Sequence, residues 1–125
     1  LGQFHILLLL ILLMFTCFVL GTGVPATPAY IIVATLGAPA LMKLGIPTLS
    51  AHMFVLYYAI LSEITPPVCL SAYAGASIAG ANAMQTGWRA FRLGIVAYII
   101  PFIFVFQPAL LLTGEFSHVE QALVT

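Results

Sequence analysis

Residues that offer oxygen ligands are concentrated in two interruptions of an otherwise apolar chain. The first is the segment 21–28, which contains two glycines, two threonines and two prolines. The second, at 65–67, is Thr-Pro-Pro, and it follows the one acid of the apolar region. Threonine hydroxyls and backbone carbonyls suit a hard cation such as sodium. The candidate ion- and substrate-binding residues are Gly21, Thr22, Gly23, Thr27, Glu63, Thr65, Pro66 and Pro67.

The second interruption has two chemical features that favour a binding site. Pro66 and Pro67 lack amide donors, so carbonyls one turn earlier lose their helical partners. A carboxylate inside a membrane is costly and is a functional-site hypothesis by default. Glu63 could balance the charge of a cation or hold a broken helix, but it could also be a helix-end residue at an interface. Both interruptions could equally be ordinary loops at the membrane surface. The candidate sodium ligands are Thr22, Gly23 and Thr65.

The composition requires an apolar environment for most of the chain. Of 125 residues, 63% are hydrophobic and 5% are charged, whereas a soluble domain has roughly 25% charged residues. The formal net charge is zero, so there is no basic stripe for nucleic acid. The apolar runs show no strict two-residue alternation, and a bilayer admits only helices or closed barrels. We therefore predict an all-α integral membrane protein surrounded by lipid.

The two interruptions predict how the first two thirds of the chain are organised. We expect a re-entrant helical hairpin over 1–45 with its tip at 21–28. A discontinuous transmembrane helix should follow over 46–82, broken at 65–67. Irregular backbone at membrane depth is tolerated where protein or a water-filled cavity meets it. Secondary transporters use such broken helices to bind ions and substrates.

The remainder of the chain predicts one more crossing of the bilayer. A polar turn is expected at 82–87 and a further transmembrane helix over 83–112, kinked at Pro101. The tail, 113–125, should be interfacial. All four segments are expected to belong to one truncated membrane domain, a piece of a longer protein.

The sequence gives no support for catalysis. Ser71 and Ser77 have no neighbouring histidine, and no Walker A motif is present. Cys17 and Cys69 stand in apolar stretches without metal-ligand spacing, which indicates small buried side chains. We predict that the chain is not an enzyme. A transporter is favoured over a membrane packing or assembly subunit without its own transport site, and over an intramembrane enzyme.

Several short motifs follow one another along the chain. They are GTGVPATPAY at 21–30, EITPPV at 63–68, AYAG at 72–75, IAGAN at 78–82, TGW at 86–88 and the segment from Pro101 to Leu111. The first two resemble signatures of the large permease subunit of TRAP (tripartite ATP-independent periplasmic) transporters. The others resemble its fused-permease branch, which pairs with TAXI-type binding proteins. One departure is that Cys69 and Ser71 stand where many classical members have Gly and Asn.

The resemblance implies part of the C-terminal half of an inverted-repeat, elevator-type permease. Its activity would be symport driven by sodium as coupling ion, with small organic anions such as C4-dicarboxylates as substrates. Its partners would be a periplasmic substrate-binding protein of TAXI type and the rest of the same permease, including the small membrane subunit or its fused equivalent. Its location would be the inner (plasma) membrane of a bacterium or archaeon.

Three local expectations complete the prediction from sequence. The second hairpin arm should begin near Pro28 and Ala29, so that its free amides could face an anionic substrate. A Gly23→Val change should impair transport more than folding, because a Cβ would crowd the tip. The turn at 82–92 has two arginines and the turn at 43–47 has one lysine. The positive-inside bias therefore predicts that 82–92 is cytoplasmic and 43–47 lies on the opposite side.

Overall fold

The computed structural model describes residues 2–106, and within this range every regular element is helical. This confirms the all-helical prediction for the described part of the chain. The α-helices are α1 Gly2–Gly21, α2 Ala26–Lys43, α3 Thr48–Leu61, α4 Leu70–Ala79, α5 Ala83–Gly94 and α6 Ile100–Phe106. Two 3₁₀ turns, Ser62–Ile64 and Ile95–Tyr98, follow α3 and α5. The end of the predicted span, 107–112, and the predicted tail, 113–125, lie outside the described residues.

Helix α3 is central, and α1, α2 and α6 pack around it. Its side chains Phe54 and Tyr58 are fully buried, as are Leu10 of α1 and Leu41 of α2. The Phe54 ring centroid lies 4.9 Å from that of Tyr58 and 5.4 Å from that of Phe102. Both pairs are edge-to-face, an arrangement that the ring quadrupoles favour. This core holds the two hairpin arms and α6 against the helix that leads to the break.

The two hairpin arms approach each other closely because of a glycine. A Cβ placed on Gly37 of α2 would collide with the side chain of Leu13 on α1. Small residues at such points let membrane helices gain van der Waals contact. At the other end of α2 the chain turns through Gly45, whose φ of 88° favours glycine. These two glycines set the spacing of the arms and the direction in which α3 leaves.

The outward faces of the helices are apolar as well. Phe4, Phe15 and Val19 on α1 are 66%, 58% and 68% exposed. Among the described residues, Phe4–Gly21 is the one helix long and apolar enough to cross a membrane, and α5 with α6 would be a second if the bent pair is one span. A helix that is apolar on all faces is suited to lipid.

The chain between α3 and α4 leaves helical geometry at the Thr-Pro-Pro segment. Thr65 is extended, with φ of −98° and ψ of 117°, and the peptide bond between Pro66 and Pro67 is cis. Helix α4 then runs to Ala79 and ends at Gly80, which has φ of 67°. Both α4 and α5 contact the first 3₁₀ turn. The break is therefore surrounded by elements from both sides of the chain.

The last described helix pair corrects two expectations. The segment 82–87 is not a polar turn, because the Asn82 side chain accepts the Gln85 amide at 3.0 Å and caps a helix that begins at Ala83. The bend of 60° lies between Ala83–Leu93 and Ile95–Phe106, at Gly94 and the second 3₁₀ turn, and not at Pro101. Pro101 falls in the first turn of α6, where a missing amide leaves no helical bond unmade.

Candidate functional site

The hairpin tip is a tight turn whose second helix begins without a cap from its own segment. Helix α1 ends at Gly21, and α2 begins at Ala26. The residue before it, Pro25, has no polar side-chain atom that could cap α2. The first amides of a helix have no partner within it, and its N-terminus has a partial positive charge. A group from elsewhere in the fold must therefore satisfy this end of α2.

Glu63 supplies that group from the break. The Ala26 amide donates to Glu63 Oε1 at 2.9 Å. The hydroxyl of Ser71, in the first turn of α4, donates to Glu63 Oε2 at 2.6 Å. One half-buried carboxylate thus joins the hairpin tip, the first 3₁₀ turn and α4. Hydrogen bonds to an ionised acceptor are stronger than neutral ones, so this bridge offsets part of the cost of placing a carboxylate here.

The backbones of the tip and the break also touch. A Cβ placed on Gly21 would collide with the Oγ and Cβ atoms of the buried Ser62. Gly23, in contrast, is exposed, and a Cβ there would meet only the Leu20 carbonyl at 3.9 Å, an ordinary contact. The expected crowding at Gly23 is therefore wrong for the described contacts. The glycine that closely approaches the break is Gly21.

Thr65, the first residue of the break, connects it to the second 3₁₀ turn. Its hydroxyl donates to the Leu61 carbonyl at 2.6 Å and lies 2.6 Å from the hydroxyl of Tyr98. The Tyr98 carbonyl in turn accepts the hydroxyl of Tyr58 from α3. The carbonyl of Pro67 accepts the hydroxyl of Tyr73 from α4. The carbonyls of Leu61 and Pro67 thus each accept a side-chain hydroxyl, that of Thr65 and that of Tyr73.

A family model for the tripartite ATP-independent periplasmic transporter, DctM component, matches residues 2–119. The chain belongs to this DctM family. Neither a curated protein nor a solved structure matches it. Membership confirms the resemblance to the large TRAP permease component, and it means a transporter and not an enzyme. It also supports a membrane location and implies a periplasmic binding protein and further permease subunits as partners.

The structure of this DctM-family chain brings some of the predicted site residues together and leaves others apart. Glu63 accepts the Ala26 amide and Gly21 lies against Ser62, so both predicted residues take part in the junction between the tip and the break. Thr22 and Thr27 are exposed, and the Thr22 hydroxyl donates to the Val19 carbonyl of its own helix at 2.6 Å. No described hydrogen bond joins Thr22 to Thr65. The proposed sodium ligands therefore lie on two different elements, one at the tip and one at the break.

The expected substrate-facing amides of the second hairpin arm are also placed differently. The arm begins at Ala26 and not near Pro28, because Pro28 falls in the first turn of α2, where a missing amide leaves no helical bond unmade. The Ala29 amide donates to the Pro25 carbonyl at 3.2 Å, and the Ala26 amide is taken by Glu63. These two amides are therefore occupied within the protein.

Two residues of the junction between the tip and the break were not predicted from the sequence. Ser71 was weighed only as a nucleophile and as a departure from a classical pattern, but its hydroxyl binds the Glu63 carboxylate. Tyr98 had no motif signal, since it reaches Thr65 from a position 33 residues later in the chain. His52 forms a hydrogen bond through Nδ1 with the Tyr30 hydroxyl at 2.9 Å. The sequence contained one signal that could have identified Ser71 as a partner of the break, namely its place one helical turn after the Pro-Pro pair.

Proposed function

We propose that this chain forms part of the ion- and substrate-binding core of a sodium-driven permease that takes up small organic anions. The observation that carries this proposal is the polar junction at Glu63, where the hairpin tip and the broken helix meet. Broken helices that face each other at membrane depth are the places where secondary transporters bind ions and substrates. A packing or assembly subunit has no need to place a carboxylate there at the cost of dehydrating it.

Sodium suits the chemistry of the donor set. Thr22 and Thr65 each donate their one hydroxyl proton to a backbone carbonyl, at Val19 and Leu61. A hydroxyl that donates in this way still has lone pairs for a cation. The proposed sodium ligands are Thr22 and the Gly23 carbonyl at the tip and Thr65 at the break, and Glu63 would lower the energy of a positive charge nearby. The bound ion would add positive charge where an anionic substrate approaches.

Recognition of the anion must use other groups than basic side chains from the middle of the chain. There is no lysine or arginine between Lys43 and Arg89. Glu63 already covers the N-terminus of α2 at Ala26. A carboxylate substrate would therefore bind through bound sodium, exposed hydroxyls such as that of Thr27, and residues beyond this chain segment. Carboxylates, including C4-dicarboxylates, form the proposed substrate class.

The remaining features of the proposed system follow from the DctM family and the motifs of the chain. A periplasmic binding protein of TAXI type would deliver the substrate, and the small membrane subunit, separate or fused, would complete the permease. The proposed location is the inner membrane of a bacterium or archaeon. The motifs AYAG at 72–75 and IAGAN at 78–82 are the basis for TAXI pairing.

Uptake by the full-length permease in proteoliposomes, with and without its binding protein, tests this proposal. A panel of mono- and dicarboxylates, amino acids and neutral analogues should be compared under an inward sodium gradient and under choline. We expect uptake of carboxylates that requires both the binding protein and sodium. Uptake of neutral solutes alone, or uptake that is equal in choline, would contradict the substrate or the coupling ion. A sodium-dependent flux that survives loss of the whole 21–71 region would favour the packing-subunit alternative.

A further inference from the structure

Helix α5 has one packed face and one polar face. Gly87 and Gly94 lie seven residues apart and so share a face, and a Cβ on either glycine would collide with a side chain from outside α5. Arg89 and Arg92 follow Gly87 by two and five residues. At about 100° per residue they lie on the opposite face, and both are exposed. Packing of α5 on the rest of the chain therefore turns its two arginines outward.

The polar face contains an open groove with a volume of about 520 Å³. In this groove the Trp88 ring lies edge-to-face on that of Phe91, with 6.0 Å between the centroids, which restrains the indole. The walls combine two apolar side chains with two guanidinium groups and one amide. They are Met84, Gln85, Trp88, Arg89 and Arg92. A ligand that suits this groove is an anion that also has an apolar part.

The positive charge of this groove is not balanced by an acid of the described chain. Glu63 is the one acid among residues 2–106. Its two oxygens accept the Ala26 amide and the Ser71 hydroxyl at the junction between the tip and the break. Charge complementarity therefore favours a negatively charged group that comes from outside residues 2–106.

The groove ends where the surface of the chain becomes apolar. The exposed residues that follow Arg92 are Leu93, Ile95 and Val96. The chain also bends by 60° at Gly94, between α5 and the segment that leads into α6. Tryptophan and arginine side chains suit the level of the lipid headgroups, and exposed aliphatic side chains suit the acyl chains. This order of residues favours a position of α5 at the headgroup level, with the groove beside lipid phosphates.

We propose that this groove binds the headgroup phosphate of an anionic phospholipid such as phosphatidylglycerol. The guanidinium groups of Arg89 and Arg92 donate to the phosphate oxygens, and an arginine can do so with two parallel bonds. The glycerol backbone and the start of the acyl chains lie against Met84 and Trp88. The predicted cytoplasmic side of this turn agrees with such an occupant, because anionic lipids give the cytoplasmic leaflet a negative surface potential. The inference rests on the membrane location of the DctM family and not on sodium coupling or a carboxylate substrate.

Quenching of Trp88 fluorescence by brominated lipids tests the site locally. Trp88 is the one tryptophan of the 125 residues, and any tryptophan elsewhere in the full-length permease is replaced by phenylalanine. This permease is reconstituted in mixed vesicles of phosphatidylglycerol and phosphatidylcholine, with bromine on the chains of one lipid or of the other. The two series give the binding constant of phosphatidylglycerol relative to phosphatidylcholine beside Trp88. We expect a ratio of about five to twenty-five, since each arginine near anionic lipid contributes up to about fivefold.

Three charge-removing variants separate the two arginines from other basic residues. Arg89→Gln with Arg92→Gln should bring the ratio to about one, and each single change should give an intermediate ratio. Lys43→Gln is the matched control, because it removes one positive charge from an exposed position at the other turn, and it should leave the ratio unchanged. The replaced side chains are exposed, so the thermal midpoint of each variant in detergent should equal that of the wild type. If the double variant does not fold, the two single variants provide the test.

Four results would overturn the inference. They are a ratio near one in the wild type, a ratio that the arginine changes leave unaltered, a fall with Lys43→Gln as large as with the arginine pair, and no quenching by either lipid. The last result would mean that another part of the permease covers this face of α5. Loss of the preference in excess inorganic phosphate would assign the groove to free phosphate instead of lipid. None of these measurements needs transport, so a failure of the sodium or substrate proposal is observed separately, in the uptake experiment.

Discussion

The core around α3 and the break at the end of the same helix are held together by different interactions. The core consists of fully buried apolar and aromatic side chains, such as Leu10, Phe54 and Tyr58. The break is held by the hydrogen bonds that Glu63 accepts from the hairpin tip and from α4, and by the hydrogen bond between the hydroxyls of Thr65 and Tyr98. In lipid, apolar side chains gain little by leaving the bilayer, so polar contacts and close packing specify how helices meet. The core therefore provides stability, and the break sets how the hairpin tip and α4 meet.

Helices α4 and α5 extend this contrast. Their buried positions are small residues such as Ala72, Ala76 and Gly87, while Ile78 and Leu93 are 90% and 87% exposed. A Cβ on Gly87 would collide with the Cys69 sulfur. These helices pack closely on each other but leave their outer apolar faces uncovered by the described residues. Their position is thus set by the break and by each other more than by the core.

The largest expected effect is on the core. Phe54→Ala removes a ring that packs on Tyr58 and Phe102, so it should lower the free energy of unfolding by about 3 kcal/mol. The thermal midpoint of the purified permease measures this loss. The sodium concentration for half-maximal uptake should be unchanged in the protein that remains folded. A change in this sodium concentration at normal thermal stability would show that the core also affects the function of the break.

The next effect tests the point where core and break meet. Gly21→Val should destabilise the protein by about 1–3 kcal/mol and abolish most uptake, since its side chain would collide with Ser62. Gly23→Val is the matched control two residues later and should insert with a thermal stability close to that of the wild type, since a Cβ there meets only an ordinary contact. Expression, thermal stability and uptake are to be compared for both. The reverse order of severity would contradict the close approach at Gly21.

Glu63 separates the effect of charge from that of hydrogen bonding. Glu63→Ala leaves the Ala26 amide and the Ser71 hydroxyl without their described partner, at a cost of about 1–3 kcal/mol. Glu63→Gln can accept from Ala26 and donate to Ser71, so it should lose only the charge term at the helix N-terminus, about 0.3–1 kcal/mol. Thermal stability and initial uptake rates distinguish the two variants. Equal losses in Ala and Gln would mean that the charge, and not the bridge, is what the site requires.

Thr65→Val is the smallest change to the break and sharpens the comparison furthest. It keeps the approximate volume and removes the oxygen that binds Leu61 and Tyr98. We expect the sodium concentration for half-maximal uptake to rise at least tenfold with normal expression. Sodium titrations of uptake measure this. If the dependence on sodium stays as in the wild type, Thr65 is not a ligand.

The orientation of the chain can be tested without perturbing either region. Leu44 is exposed at the turn after α2 and Gln85 is exposed in the first turn of α5, whereas Gly87 is buried and Gly45 has positive φ. Single cysteines therefore belong at Leu44 and Gln85. Leu44→Cys and Gln85→Cys, in a background without Cys17 and Cys69, should react with impermeant thiol reagents from opposite sides, with Gln85 cytoplasmic. Reaction of both from the same side would exclude the predicted topology.

The sequence by itself determined the class of the protein and the places where its helices are interrupted. A charged fraction of 5% excludes a soluble surface, and glycine and proline end helices through local sterics wherever they stand. The same local chemistry indicated Glu63, because a carboxylate is costly to place in a membrane, and Thr65, because it offers a hydroxyl oxygen. It also favoured the DctM family, because the order of the motifs is a property of the sequence.

Only the tertiary structure decided what these residues touch. Glu63 bonds to Ala26 across 37 positions and Thr65 meets Tyr98 across 33, separations at which no local pattern specifies a partner. The crowded glycine is Gly21 and not Gly23 because Ser62, on another helix, lies against it. The helix was expected to kink at Pro101, but it bends at Gly94. Whether a proline kinks a helix depends on where that helix starts. A proline disrupts only a turn that needs its amide, and Pro101 falls in the first turn of α6, which begins at Ile100.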